Sequence, residues 1–572
     1  MRSYHFGFAL IAVAILAGCS SPPPSPSKDD PSTALDAMAS DPTINPATEI
    51  VPIEQRDIGD HMIISLDAEP GVLNTVLDSA DATSRFICSF IYDTLLEIDR
   101  DTLGMKGRLA YEWETSDDHL TYTFKMHENA QFSDGVPVTA EDVKFSWELL
   151  MNPENDTAAL RNYMQDIESV NAIDDHTVQF RMKKPYFRHI ISLGTEIQIL
   201  PKHIYGKGPL QNHPANRAPV GSGPYKFERW DTGQQIVLTR NENYWGPRQP
   251  IEKFIWKIIT DDNAAFQALQ RGDTDMYRVK PDDWLRKGST PEFNAKFNRF
   301  TPGSPIPGFV SRLNYIGWNM RKPQFSDKRV RQALCMLFDR QLVIDQVWGG
   351  LGTLVTGDIY HLAPEYNKDV QPWPFDPEGA GKLLDEAGWI DTDQDGIRDK
   401  NGIKLQFELS FTSGVQEYER LSTVYQEELK RAGINVVLDP LEWATFQERV
   451  QERTFDACML AWLLDVGPDP YQLFHSSQSE KGSNHPGLEN DEVDQILDDA
   501  RLEFDQEKRN TMYHRYHEIL HDEQPYLFLY ARPGLIAIDK RFHGVVNKKG
   551  GFVVTDWWVP KDQQKYPSTT SN

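Results

Sequence analysis

Residues 458–464 constrain the chain more than any other stretch. They form an apolar run that ends at Asp465 and is broken at once by Gly467, Pro468, Asp469 and Pro470. A run this short, bounded by strong turn residues, reads as a buried strand. A carboxylate at the end of such a strand is costly unless a cation or hydrogen-bond donors meet it. In open α/β sheets the carboxyl ends of strands face the ligand crevice. The expectation is a sheet with a cleft at its edge and Asp465 standing in that cleft.

The chain is long enough to build one. Its 572 residues correspond to about three or four domains of ~150 residues. The net charge of −26 speaks against nucleic acid, because phosphate binding needs a Lys/Arg surface, and against close contact with anionic lipid head groups. Cysteines stand at 19, 88, 335 and 458, with no spacing that suggests a metal site or a disulfide framework. The last three are expected as buried thiols acting as small hydrophobes.

The amino terminus reads as an export signal. Arg2 precedes an apolar stretch, residues 6–16, too short to span a bilayer well. It ends in Leu16-Ala17-Gly18-Cys19, which resembles a bacterial lipobox. That resemblance makes residues 1–18 a lipoprotein signal peptide and Cys19 the lipidated first residue of the mature chain. Residues 19–57, rich in Ser and Pro and poor in apolar side chains, read as a disordered tether. No later stretch approaches ~18 consecutive apolar residues.

The folded part starts with a strand over 61–66. A helix is expected over 74–98, where Phe86, Ile87, Phe90, Ile91 and Leu95 recur at near-helical spacing. Alternation predicts strands over 120–126 and 178–182. Between them Thr139 is a candidate N-cap, with Glu141 and Asp142 in the first helical turn. Residues 301–308 are a breaker-rich linker, followed by a strand over 314–319. Residues 405–411 and 526–530 read as further strands. Residues 329–334 read as helical, with their basic side chains on a solvated face.

Motifs along this series recur in a set order. They include Leu95-Leu96-Glu97-Ile98-Asp99, Phe132-Ser133-Asp134-Gly135-Val136-Pro137, Gly221-Ser222-Gly223-Pro224-Tyr225, Asn241-Glu242-Asn243-Tyr244-Trp245, Phe325-Ser326-Asp327-Lys328-Arg329-Val330-Arg331 and Ala387-Gly388-Trp389. Together they resemble the oligopeptide- and dipeptide-binding proteins of bacterial ABC importers, the extracellular solute-binding proteins of family 5. The resemblance implies an α/β, two-lobed periplasmic-binding-protein-like fold (type II, cluster C) with an extra inserted subdomain and a two-strand hinge. Lobe I would comprise 58–97, 206–312 and 537–572, the inserted subdomain 98–205, and lobe II 313–536.

The resemblance also implies a role for Asp465. An Asp following a Trp at such a strand end pairs with the ligand's α-ammonium in peptide-binding members, and here Trp462 precedes Asp465. Trp462, Tyr471, Trp318 and Asn319 are candidate cleft-lining residues. Dipeptide-binding relatives carry an Arg soon after the strand matching 405–411. Here Ser413-Gly414-Val415 stands there, and Arg420 comes only later, so peptides longer than two residues are the expected ligand.

Two features remain. Asp391, Asp393, Asp395 and Asp399 begin like a calcium loop, but the twelfth position is Gly402 where a Glu is needed. An acidic hairpin turn is the preferred reading, with structural calcium as the alternative; no cofactor is otherwise expected. His514 and His517, spaced i, i+3, read as a polar helix face. Two signatures of enzymes are missing, since no G-x-S-x-G or Walker A loop occurs; the H-E-x-x-H spacing is met once, at His517-Glu518-Ile519-Leu520-His521, with no third ligand close by in sequence. The expectation is a non-enzymatic, monomeric receptor in the cell envelope, lipid-anchored on its periplasmic or extracytoplasmic face. It would deliver short peptides to ABC permease subunits. The alternatives are a non-peptide solute (an oligosaccharide, metal chelate or opine) or a surface lipoprotein outside transport.

Overall fold

The computed structural model describes residues 44–46, 51–303 and 311–567. The signal peptide, Cys19 and most of the expected tether lie outside these residues, as do 304–308 of the linker.

Three sheets organise the molecule. A seven-stranded sheet runs Phe297–Phe300, Ile536–Asp539, Met276–Arg278, His61–Leu66, Lys253–Ile258, Gln235–Arg240, Tyr225–Asp231. A five-stranded sheet runs Asn435–Leu441, Gln406–Thr412, Ala457–Leu464, Ser311–Trp318, Tyr526–Ala531. A four-stranded antiparallel sheet, Ala110–Thr115, Thr121–Met126, Thr177–Met182, Ile167–Asp174, forms a subdomain beside the first. The two large sheets make the two lobes of an α/β fold. The chain passes to the second lobe after Phe300 and returns after Ala531. The two crossings are joined: Gly534 N–H donates to Pro302 O at 2.8 Å, and Arg532 N–H to Arg312 O at 3.2 Å.

Local structure follows sequence in most elements. Residues 61–66, 121–126, 177–182, 406–412 and 526–531 are strands. The helix Ala140–Met151 starts at Thr139, whose N–H and hydroxyl both donate to Asp142 Oδ2 at 2.9 Å. Cys88, Cys335 and Cys458 are free and buried.

Three expectations need correction. The helix expected over 74–98 is only Ala82–Ile91, and Leu96–Ile98 is a strand. Asp81 starts it late, accepting Ser84 N–H at 2.7 Å. Its end is set from outside: Gly223 N–H donates to Ile91 O at 2.8 Å, and a Cβ on Gly221 would stand 2.1 Å from that oxygen. The glycines of Gly221-Ser222-Gly223 therefore let one backbone press on another. Second, Arg331 is buried, not solvated. It donates to Phe325 O at 2.6 Å, to Glu523 O at 2.8 Å and to the Glu523 carboxylate at 2.9 Å. Third, His517 is buried rather than on a polar face. Its Nδ1 accepts Asn367 N–H at 3.2 Å, leaving Nε2–H to donate to Thr356 Oγ1 at 2.9 Å.

The first lobe is tied at its base by charge. Arg541 meets Asp60 at 2.8 Å, Asp275 at 2.5 Å and Asp539 at 2.9 Å, all with little or no exposure. Three carboxylates around one buried guanidinium hold the C-terminal segment against the first strand.

Candidate functional site

The strands Gln406–Thr412, Asn435–Leu441 and Ala457–Leu464 are parallel, so their carboxyl ends share one edge of the second-lobe sheet. Ser311–Trp318 runs antiparallel to Ala457–Leu464, which brings its first residues to the same edge. Both lobe crossings leave from this edge, so it faces the first lobe.

One strand at this edge is half unpaired. Ala457–Leu464 pairs along its full length with Ser311–Trp318. On its other side it pairs with Gln406–Thr412 only through Ala457 and Cys458. Residues 459–464 therefore have no strand partner on that side among the described residues. Their outward N–H and C=O groups form an open sheet edge inside the fold, and Leu463 is 40 % exposed beside it.

Asp465 stands where this edge ends. Its side chain is 44 % exposed, and its Oδ1 accepts the N–H of Val466 at 2.7 Å. The carboxylate is not unpaired, which corrects the picture of an Asp waiting alone. Arg188 Nη2, from the subdomain that carries the four-stranded sheet, donates to Oδ2 at 2.8 Å. Burial works against the Arg188 charge, but Asp465, Tyr186, Glu196 and Asp469 together outweigh it and hold the guanidinium pKa above its usual value. Glu196 lies 3.8 Å from Arg188, and burial pushes its carboxyl pKa upward. Arg100 also feels the charge of Asp465.

Asp469, read from sequence as a turn residue, anchors a second cross-contact. Arg501 donates to its carboxylate at 2.7, 3.0 and 3.2 Å, and the Tyr186 hydroxyl donates at 2.5 Å. Phe187 N–H donates to Arg501 O at 3.0 Å, and the Arg509 guanidinium sits 4.2 Å from the Phe187 ring. Residues 186–188 thus clasp the second lobe beside Asp465.

The other expected site residues separate into two groups. Trp462 and Tyr471 are partly buried near Asp465. Trp462 Nε1 lies 3.4 Å from the Tyr526 hydroxyl, and the Arg501 guanidinium lies 3.6 Å from the Tyr471 ring. Trp318 and Asn319 do not line this edge. Trp318 pairs with Ala457 at the opposite end of the strand, ~24 Å from the Ser311 end at ~3.4 Å per residue. It is fully buried against Phe325 and Phe407. The Asn319 amide is spent on the carbonyls of Arg453 and Phe455.

The acidic loop is closed at its base by the antiparallel bridge between Ile390 and Asp399, and Asp399–Lys400 then pairs with Ile403–Lys404 across the next turn. Asp391, Asp393 and Asp395 each offer one carboxylate oxygen within 4.8 Å of the others. The Lys404 ammonium already lies 2.7 Å from Asp393 and 2.9 Å from Asp395. Asp399 is separately bonded to Thr392.

Sequence reasoning missed Arg188 and Arg100. Arg188 lies 277 residues from Asp465, and no local pattern links the two.

Comparison with known proteins bears on this arrangement. The family model for bacterial extracellular solute-binding proteins, family 5, middle region, matches residues 104–485. The chain belongs to this family. It is 32 % identical over 513 residues to the oligopeptide-binding protein AppA of Bacillus subtilis, covering 88 % of this chain and 92 % of that one. The structure of AppA in complex with a nonapeptide superposes with a TM-score of 0.71 at 31 % identity, covering 89 % of this chain and all of that one. The heme-binding protein A of Haemophilus influenzae is 26 % identical over 81 % of this chain and 85 % of its own length. NikZ from Campylobacter jejuni, in complex with Ni(L-His), shares the fold, with a TM-score of 0.70 at 24 % identity over 87 % of this chain and 99 % of its own. This family 5 member is thus a solute-binding protein of the ABC-transporter type and not an enzyme. Among the described residues no helix is long and apolar enough to cross a membrane.

Proposed function

We propose that the protein is the substrate-binding lipoprotein of an ABC importer and captures oligopeptides in the cleft between its lobes. The observation that carries this reading is the open edge of residues 459–464 leading into Asp465. An extended peptide can add a strand to such an edge through main-chain hydrogen bonds, which read no side chain and so tolerate many sequences. Its α-ammonium would then reach Asp465. That carboxylate keeps acceptor capacity beside Arg188, because two oxygens offer about four lone-pair sites. Similarity to a protein named for oligopeptide binding supports the same ligand class.

Cys19 would carry the lipid that holds the receptor, as a monomer, on the extracytoplasmic face of a membrane. ABC permease subunits would take the peptide, with energy from their ATPase.

One observation favours a second reading. Asp465 already has Arg188 at 2.8 Å, and a carboxylate whose charge is met has no need of a ligand ammonium. A non-peptide solute is compatible with that, as the relatives named for heme and crystallised with a nickel chelate illustrate. Native mass spectrometry of the purified protein with its co-purifying ligand separates the two. Peptide masses are expected; a sugar or metal chelate would overturn the peptide reading. Asp465→Ala should weaken a free-amino peptide ~10-fold or more while sparing its N-acetylated form, and equal losses would remove the assigned role.

A further inference from the structure

One cation at the cleft-facing edge has no charged partner among the described residues. Arg312 is the second residue of Ser311–Trp318 and lies directly opposite Leu463. Side chains of such a cross-strand pair share one face of the sheet, and the exposure of Leu463 shows that this face is open here. Arg312 Nη2 donates to the Tyr418 hydroxyl at 3.3 Å. Its Nε is shut off from solvent and has no partner, and no carboxylate among the described residues pairs with this guanidinium.

Its neighbours differ. Arg532 is held by Glu417 at 2.9 Å and Arg278 by Asp67 at 3.0 Å. Burial lowers the Arg532 pKa, and the nearby charges of Arg312 and Arg278 act in the same direction. Three cations meet two carboxylates at this corner, and the excess charge is that of Arg312.

Two residues along, on the same face, Asn314 is fully buried with neither Oδ1 nor Nδ2 bonded. Its cross-strand neighbours are Ala461 and Tyr530, and the Tyr530 hydroxyl is already spent on Glu417 at 2.6 Å. An unmet amide in a folded interior carries a desolvation cost that a bound polar group would relieve.

We infer that Arg312 and Asn314 form a carboxylate-binding subsite of the cleft. The guanidinium offers a fork of donors to a carboxylate, and Asn314 Nδ2 adds another. The inference rests on the peptide reading above, since it takes the ligand to lie along residues 459–464. Asp465 and Arg312 are on adjacent strands and about 8 Å apart at Cα, from a ~4.8 Å strand spacing and a two-residue offset. An extended peptide covers that in about two or three residues. The carboxylate therefore belongs near the amino end: an acidic side chain at the second or third residue, or the terminal carboxylate of a very short peptide.

Calorimetric titration of the wild type and Arg312→Met with four ligands tests this. The ligands are a heptapeptide with Glu at its second residue, its Gln counterpart, a neutral tripeptide, and that tripeptide as its C-terminal amide. The wild type should prefer the carboxylate member of at least one pair by ~10-fold or more, and which pair shows it identifies the source. Arg312→Met should erase the preference while leaving the neutral member within about twofold. Asn314→Leu should raise the melting temperature, by removing the unmet amide, and reduce the same preference. A wild type that binds all four ligands equally overturns the inference but leaves the peptide reading standing. So does an Arg312→Met variant that keeps the preference or loses both members alike. If the wild type binds none of the four, the peptide reading fails and the subsite falls with it.

Discussion

Tyr186→Phe isolates the energy of the clasp between the subdomain and the second lobe. The hydroxyl donates to Asp469 at 2.5 Å, and Asp469 keeps three contacts from Arg501 after the change. No buried charge is orphaned, so the cost is the net worth of one hydrogen bond to a carboxylate, ~1.5–3 kcal/mol. The bond joins residues from two bodies, so the loss falls on the closed form and not on either body's own fold. A destabilisation of ~2 kcal/mol shifts the closed–open ratio by ~30-fold. If the closed form is the one that binds, every ligand should lose affinity by a common factor of up to that size, because the binding-competent fraction falls. Small-angle scattering of the unliganded variant should show a larger radius of gyration, and calorimetry should show the shared loss. Unchanged scattering together with a loss confined to one ligand would refute the reasoning, since Tyr186 would then be touching ligand rather than setting closure. This uniform loss contrasts with the ligand-selective losses expected at Asp465 and Arg312.

Other consequences concern stability. Arg331→Met should destabilise the second lobe by ~1–3 kcal/mol in denaturant unfolding, because it takes the partner from the partly exposed Glu523 carboxylate and leaves the carbonyls of Phe325 and Glu523 unmet. Burial pushes the pKa of His517 down to about 4, so the unfolded state binds more protons between pH 4 and 6.5. Stability from this residue is complete above pH 6.5 and falls on acidification through pH 4, by ~3 kcal/mol in all, and His517→Gln should flatten that part of the pH profile. Asp358 has the opposite sign. Burial raises its pKa to about 7, against the weaker opposing effect of the Tyr516 hydroxyl, so its folded form loses stability as pH rises from 4 through 7. Asp358→Asn should be neutral near pH 4 and stabilising by a few kcal/mol at pH 8, where thermal melts would show it.

The chain's own pattern was enough for much of this molecule. Residues 458–464 had to be a strand because a short apolar run between breakers has few other solutions, and Asp465 had to stand at its end, although only Cys458 and Met459 of that run are fully buried. The capping box at Thr139 and Asp142 was readable because both partners lie within one helical turn. Family membership followed from the order of many weak motifs along the chain.

Other features depend on what arrives from far away. The helix Ala82–Ile91 stops where it does because Gly223, more than a hundred residues later, presses on its last carbonyl. Trp318 and Asn319 are beside Trp462 in type but at the far end of the sheet in space, because antiparallel register sets them against Ala457 and not Leu464. Arg331 sits in a basic stretch and is nevertheless buried, since Glu523 comes to meet it. Periodicity reports which face of an element is apolar; it does not report which partner covers that face. Asp465 shows the division most clearly. Sequence alone determined a carboxylate at the end of an apolar strand. Only the tertiary structure decided that half the strand's edge is open, that Arg188 shares the carboxylate, and that Arg312 stands beside them with no carboxylate partner among the described residues. Coulomb attraction and register act through space, and separation along the chain says nothing about either.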